Sequence, residues 1–392
     1  MNEKRSIYLD NSATTKISDV ALAKYNEVSR ENFGNPSSLH TFGFNAEKEL
    51  KTARSAITRS LGASDATVIF TASGSEANNL AIIGRALSKE RYKKGAKIIT
   101  TAGEHASVSA PLERLREMGF RIALIPTKGG KIDEEALVRE MSSDVILVTA
   151  MMVNNETGAL YDVAKISSVM KAKSPDALLH VDATQSYMKL PFTMRSLGAD
   201  MVTVSSHKIE GPKGVGALVV SQDTVKKRAL APIILGGGQE GGLRSGTENV
   251  PAIAAFGVAV AEAMKNLSQN REKMNLLREY LIKKLTRTPS LSEISITNPD
   301  SHAPHILNIT LPKIKSETML HYLSSEGIFV SSGSACSSNS SHVSSALVAY
   351  GRSESEADSS IRISFSHTNE ESDVDALCEA LEAGLKRLAR MR

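Results

Sequence analysis

The chain has 392 residues, is 41% hydrophobic and 23% charged, and carries a net charge of +4 from 47 basic and 43 acidic side chains. At a typical ~150 residues per domain, this length accommodates two domains or one large α/β unit with an appendage, and it excludes a small stapled scaffold. The 12 Pro and 26 Gly exclude a collagen-like or low-complexity chain, and so mild a basic excess falls short of a nucleic-acid footprint. Two cysteines, Cys336 and Cys378, cannot build a disulfide framework, and the start MNEKRSIYLDN lacks the apolar stretch of a secretory leader, so a reducing, cytoplasmic setting is expected. The most apolar long stretch, Pro251 to Met264, is interrupted by Glu262 and is shorter than the ~20 residues that span a bilayer.

Between Thr67 and about Ser221, short β-branched runs alternate with helical patterns, which predicts an α/β domain whose strands are covered on both faces. Strands are predicted at Val68–Phe70, Lys97–Thr101, Ile122–Pro126, Val145–Thr149, Leu178–Asp182, Met201–Val204 and Val215–Val220. Nearly every one runs into polar residues, and open α/β sheets bind ligands beyond the carboxyl ends of their strands. TASGSE, GEHAS, VNNETG, DATQ and SSHK are therefore expected to share one crevice. After the Gly-rich loop Gly236–Asn249, Pro251 suits a first helical position, and a helix is predicted from there to about Leu285 with a break near Asn266. Strands at Ile306–Thr310, Ile328–Ser331 and Ser360–Phe365 follow, then a last helix opened by a Thr368/Glu371 capping box, which together predict a smaller α+β domain. In that helix Val374, Leu377, Cys378, Leu381, Leu385 and Leu388 recur at helical spacing, with Lys386, Arg387 and Arg390 trailing, so the basic tail reads as structural. The expected division is a large domain, 15–261, and a small one made of 1–14 and 262–392. The Ser-rich segment Ser331–Ser345, which carries Cys336, is expected to be a mobile loop.

In VSSHKIEGPKGVGAL a strand ending at Val204 leads into a turn that carries Lys208. A lysine is ordinarily a solvated surface charge, but an amine at a strand end also suits Schiff-base chemistry. A pyridoxal phosphate enzyme needs that amine and a carboxylate opposite the pyridine nitrogen, which keeps the nitrogen protonated and the ring an electron sink. Asp182, closing the run Leu-Leu-His-Val-Asp, offers the carboxylate, although a strand-end Asp also caps turns. Thr71–Glu76 lies between a strand and a helix, where backbone N–H groups favour an anion, and Ser205 and His207 flank Lys208 with further donors. Such Ser/Gly turns are equally ordinary capping chemistry. His105, in GEHAS, can stack on a ring and exchange protons near neutrality, or serve as a hydrogen-bonded structural residue.

With these residues the chain resembles the class V, fold-type I pyridoxal phosphate enzymes, and within them the cysteine desulfurases of the NifS/IscS type. The resemblance runs from YLDNSATT (Tyr8–Thr15) and GNPSSLHTFG (Gly34–Gly43) through EHAS, VNNETG, HVDATQS, SSHKIEGPKGVGAL and GGGQEGGLRSGTEN to SSGSACSS and SSIRISF. It implies a large domain with a mostly parallel mixed sheet covered by helices. It also implies that Lys208 is the Schiff-base lysine, that Asp182 pairs with the pyridine nitrogen, that Gln185 hydrogen-bonds the phenolic oxygen and that His105 stacks on the ring. Gly74, Ser75, Ser205 and His207 would hold the phosphate, with Thr247 arriving from the other subunit of a homodimer. Asn155, at the cofactor, and Arg362 would position the substrate carboxylate, a task that suits the planar Arg fork. Cys336, in the polar stretch Ser331–Ser338, matches the catalytic cysteine of the subtype with a long loop; its thiol is expected near the ordinary ~8.5 until it docks. Cys378, on an apolar helix face, reads as a small hydrophobe.

The reaction implied by the resemblance converts L-cysteine to L-alanine and leaves the sulfur on Cys336 as a persulfide. Delivery would be to a sulfur-acceptor protein such as an iron–sulfur scaffold, a tRNA-thiolation enzyme or a cofactor-biosynthesis enzyme. No metal, no direct nucleic-acid contact and no membrane are expected. The alternative is a selenocysteine lyase, or another class V enzyme that does not depend on Cys336. A non-catalytic relative would show an eroded site, whereas the expected lysine, aspartate, arginine and cysteine are all present. Three positions depart from the family pattern: Ser75 stands where Thr is common, Gly241 where a basic residue is common, and Val343 where proline is frequent. The last is expected to loosen the cysteine loop.

Overall fold

The computed structural model describes residues 5–88, 95–332 and 343–389. Its strands in chain order are β1 Ile7–Tyr8, β2 Thr67–Thr71, β3 Lys97–Thr101, β4 Arg121–Ile125, β5 Val145–Met151, β6 Leu178–Asp182, β7 Met201–Ser205, β8 Gly216–Val220, β9 Ser295–Thr297, β10 Ile306–Thr310, β11 Ile328–Phe329, β12 Ser331–Ser332 and β13 Ser360–Ser364. Seven of them form the main sheet in the order β2-β8-β7-β6-β5-β3-β4. The sheet is parallel except at β8, which runs antiparallel to both its neighbours.

Period-two alternation sorts the side chains of these strands onto two faces. Val68, Phe70, Val202, Val204 and Val219 join the core on one face, while Ile69, Met201, Leu218 and Val220 join the core on the other. The first face is covered by the helix Thr41–Ser60, through Ala46, Leu50, Ala53 and Ile57. The second is covered by the helices Gly74–Ala86 and Ala106–Glu117, through Leu80, Val108, Leu112 and Leu115. Every residue of β5, β7 and β8 is buried, as covering on both faces requires.

The helix predicted from Pro251 runs unbroken over Val250–Arg287. The expected break near Asn266 does not occur, because Asn costs a helix only tenths of a kcal/mol more than a good former, and Asn266 turns its amide back onto Glu262. Its first turns, Val250–Val260, pack into the core on the Thr41–Ser60 face of the main sheet, and Met274, Leu277, Leu281 and Leu285 pack into a separate core at the small sheet. Gly257 permits close approach to the Thr41–Ser60 helix, since a Cβ there would stand 2.7 Å from Ala53 Cα. Among the described residues this is the one helix long and apolar enough, by length and composition, to cross a membrane, and its apolar end is buried in the protein core.

A second, antiparallel sheet has the order β12-β13-β10-β9. The single strand predicted at Ile328–Ser331 is divided between two sheets: β11 pairs in parallel with β1, and β12 pairs with β13. The predicted Thr368/Glu371 capping box is also absent from the helix Glu371–Ala389. Thr368 bonds Ser366 instead, and the Asp373 carboxylate accepts from Glu370 N–H and Asn369.

Candidate active site

The carboxyl ends of β2, β3, β5, β6 and β7 open together, and with the turn that follows β1 they surround a cavity of about 280 Å³. Gly74, Ser75, His105, Asn155, Asp182, Gln185, Ser205, His207 and Lys208 all line it, and Arg362 reaches it from β13. Thr247 is exposed and does not line the cavity. Cys336 lies outside the described residues. The two flanks of its segment are described: Ser331 pairs with Arg362 across β12 and β13, and Ser344 donates its hydroxyl hydrogen to Glu156, beside Asn155.

Ser73 starts the helix Gly74–Ala86 by accepting from Glu76 N–H at 3.1 Å, so the helix begins within the Thr71–Glu76 segment rather than after it. The first N–H groups of a helix have no carbonyl partner within it. Here they belong to cavity-lining Gly74 and Ser75. Gly74 packs tightly here, because a Cβ would lie 3.3 Å from both Ser205 Cβ and Thr184 Oγ1, a few tenths of an ångström closer than an easy contact. Ser205 Oγ is buried with no hydrogen-bond partner. Across from it, His207 bonds Thr14 Oγ1 at 3.2 Å, and burial followed by the charges of Lys208 and Lys213 pushes its pKa down to about 4. A neutral imidazole, one helix terminus and an unsatisfied hydroxyl together make an anion cradle.

Lys208 Nζ donates to Ser12 O at 2.6 Å and to Ala13 O at 2.8 Å, while Gln185 Nε2 donates to Ser12 O at 2.9 Å. Asp182 ends β6 nearly buried, with Oδ1 accepting from Thr184 N–H and Oδ2 from Asn78 Nδ2, at 2.9 and 2.8 Å. The same Asn78 nitrogen donates to Ser107 Oγ at 2.8 Å. Ser107 in turn meets His105 Nδ1 through its hydroxyl at 2.8 Å and its N–H at 3.1 Å. Because Nδ1 accepts from a backbone N–H, the neutral His105 ring carries its proton on Nε2. Burial holds the His105 pKa below its ordinary value, against the attraction of Asp182 and with the help of Lys208 and Arg362. His180, two residues before Asp182, is structural: Thr149 and Thr203 clamp its two nitrogens within the sheet.

Asn78, Asp10, Ser12 and Ala13 have no role in the sequence-based expectation of the site, and Glu104 and Ser107 enter it only as members of GEHAS, without a role of their own. Asn78 carried a signal, since it follows Gly74 by four residues and so falls on the same helix face. Ser12 and Ala13 act through backbone carbonyls, which leave no trace in side-chain identity.

The family model for class V aminotransferases matches residues 7–377. Cysteine desulfurase IscS 1 of Archaeoglobus fulgidus is 37% identical over 387 residues, covering 98% of this chain and 98% of that protein. A solved NifS-like protein superposes with a TM-score of 0.90 at 33% identity, covering 98% of this chain and all of its own. SspA in complex with cysteine gives a TM-score of 0.78 at 31% identity, covering 92% and 99% of the two chains. A site built on Lys208, Asp182 and Arg362 and a likeness along the whole chain agree: the protein belongs to the class V aminotransferase family and, within it, to the cysteine desulfurases of the NifS/IscS type.

Proposed function

We propose that this protein is a pyridoxal phosphate-dependent cysteine desulfurase that takes the sulfur of L-cysteine onto Cys336 and releases L-alanine. The observation that carries this reading is the convergence on one cavity of a lysine amine, a buried carboxylate, a guanidinium and a helix N-terminus. The residues fit the cofactor: the unpartnered Ser205 hydroxyl and the cradle at Gly74 suit a phosphate, and the Asp182 carboxylate suits a protonated pyridine nitrogen. Gly74, Ser75, Ser205 and His207 would hold the phosphate, Gln185 the phenolic oxygen and Lys208 the aldehyde carbon, with His105 against the ring. Bound there, the cofactor supplies an electron sink that weakens the bonds at the α- and β-carbons of the substrate.

Arg362 and Asn155 orient the substrate carboxylate. The Lys208 amine, once free of the Ser12 and Ala13 carbonyls, takes the α-proton. The Cys336 thiolate attacks the substrate sulfur, so that an S–S bond forms as the C–S bond breaks. The thiol hydrogen of Cys336 is replaced by sulfur, and a hydrogen ends on the methyl group of L-alanine. Both flanks of the Cys336 segment end beside this chemistry, Ser331 at Arg362 and Ser344 at Glu156, which supports the assignment of Cys336.

The test is release of sulfide and alanine from L-cysteine by the yellow, cofactor-loaded protein, with and without reductant, for wild type and Cys336→Ala. Products from wild type and collapse of turnover in the variant are expected. Equal activity in the variant would reassign the protein to a class V reaction independent of Cys336, such as selenocysteine lyase.

A homodimer accords with exposed Thr247 and with the large apolar side chains Phe33, Leu39, Phe42 and Phe44 exposed along one segment, where the Phe33 and Phe42 rings touch. Light scattering on the purified protein measures that state. The division into 15–261 and 1–14 with 262–392 accords with an apolar core at the small sheet that is separate from those of the main sheet, the Val250–Arg287 helix reaching from one to the other. The proposed sulfur acceptor is a cytoplasmic protein thiol serving iron–sulfur assembly, tRNA thiolation or cofactor biosynthesis, a reading supported by the ability of a thiolate to take the outer sulfur of a persulfide.

A further inference from the structure

Arg362 is 6% exposed where it meets the cavity, and two protein acceptors hold its guanidinium. Nη1 donates to Asn155 O at 2.9 Å and Nη2 donates to Asp10 Oδ1 at 2.8 Å. Nε is buried and has no acceptor. A guanidinium carries five N–H donors, one on Nε and two on each terminal nitrogen. With one hydrogen of each terminal nitrogen engaged by the protein, one remains on each, matching in number the two donors that a bidentate carboxylate takes.

We infer that Asp10 is a positioning residue for the substrate carboxylate: it fixes one terminal nitrogen of Arg362 and leaves the second hydrogen of that nitrogen for L-cysteine. This rests on the desulfurase reading of Arg362 given above. Asp10 and the Asn155 carbonyl act as a pair, so the plane of the guanidinium is set before substrate arrives. Side-chain freedom that the Arg would otherwise lose on binding is removed in advance.

The carboxylate of Asp10 is separable from the turn that bears it. Asp10 O accepts from Ala13 N–H at 3.0 Å and from Tyr8 OH at 3.1 Å. Beyond it, Asn11 Nδ2 donates to Ser364 O at 2.9 Å, Ser12 N–H to Ser364 Oγ at 2.8 Å, and Thr15 N–H to His207 O at 2.8 Å. None of these bonds uses the Asp10 side chain, so its removal leaves Ser12 and Ala13 on Lys208. Loss of the carboxylate therefore acts on substrate binding and spares the step at Lys208. An amide oxygen accepts the same hydrogen bond, so the Asn variant restores the function that Ala loses.

The experiment compares wild type, Asp10→Ala and Asp10→Asn as cofactor-loaded proteins. It reads kcat and KM for L-cysteine by alanine release, affinity for L-alanine by calorimetry, and Tm. Asp10→Ala is expected to raise KM about tenfold, the scale of one hydrogen bond to a charged group, and to weaken L-alanine similarly, with kcat within about twofold. Asp10→Asn is expected to stay within about threefold of wild type in both. An unchanged KM in Asp10→Ala, a fall in kcat at unchanged KM, or tighter L-alanine binding, which would make Asp10 a competitor of substrate, overturns the inference. Should Asp10→Ala not fold, a KM in Asp10→Asn more than about threefold above wild type overturns it alone. A wild type that releases no alanine from L-cysteine refutes the desulfurase reading itself, a result distinct from any difference between the variants.

Discussion

Glu104, immediately before His105, offers the sharpest test of how burial shapes this site. Its Oε1 accepts from the Thr101 hydroxyl and from Met151 N–H, the latter at 2.8 Å, and its Oε2 is buried without a partner. Burial pushes its pKa from 4.5 up to about 8; the two hydrogen bonds oppose the rise and the charge of Asp182 adds to it. The folded protein thus keeps a proton on Glu104 that the unfolded chain gives up near pH 4.5. The stability tied to this proton is fully present below pH 4.5 and is lost as the pH rises through about 8. At about 1.36 kcal/mol per pH unit, the interval from 4.5 to about 8 amounts to roughly 5 kcal/mol as an upper bound, because water entry relieves part of the cost of a buried charge. Glu104→Gln keeps an oxygen for Thr101 and Met151 and cannot ionise. In scanning calorimetry the variant is expected to melt within about a degree of wild type at pH 5 and several degrees above it at pH 9, the gap widening steadily between the two. A Tm difference that is the same at both pH values, or that grows toward acid, refutes the reasoning.

Asn78→Ala removes the one amide that joins Asp182 to Ser107 and His105. It is expected to lower kcat at least tenfold and to shift the absorption band of the bound cofactor, while Thr184 N–H still holds Asp182 in place. Gly216→Ala would set a Cβ 2.6 Å from the carbonyl carbon of Ser73 and 2.8 Å from Gly74 N. The turn must shift, so cofactor affinity measured by equilibrium dialysis is expected to fall about tenfold or more, with a lower Tm. Retention of wild-type affinity would show that Gly74 and Ser75 do not hold the phosphate.

The main sheet was legible because its strands are β-branched runs that end abruptly in Ser, Gly, Asp and Asn, and alternation places those ends together. Asp182 and Lys208 were legible for the same reason: each is a titratable side chain at the end of an apolar strand. The part played by residues 10–13 was not, since Ser12 and Ala13 work through carbonyls and Asp10 meets Arg362 from 352 residues away. Local pattern likewise could not show that Ile328–Phe329 and Ser331–Ser332 join different sheets, a choice made by the partners β1 and β13. Thr368 and Glu371 have capping-box spacing, but the Thr368 hydroxyl and N–H both go to Ser366 Oγ, and it is Asp373, inside the helix, that reaches back to Glu370 N–H.

The pairing of β1 with β11, and of Asn11 with Ser364, has a consequence for the order in which the molecule is made. On the ribosome Ile7–Asn11 emerge long before their partners, Ile328–Phe329 and Ser364. The main sheet and the Lys208 turn can therefore form while the carbonyls that will grip that amine are still waiting for a place. Catalytic competence arrives with the final strand, so a nascent chain that stalls before Ser360–Ser364 leaves Arg362 unplaced and Lys208 without its Ser12 and Ala13 acceptors.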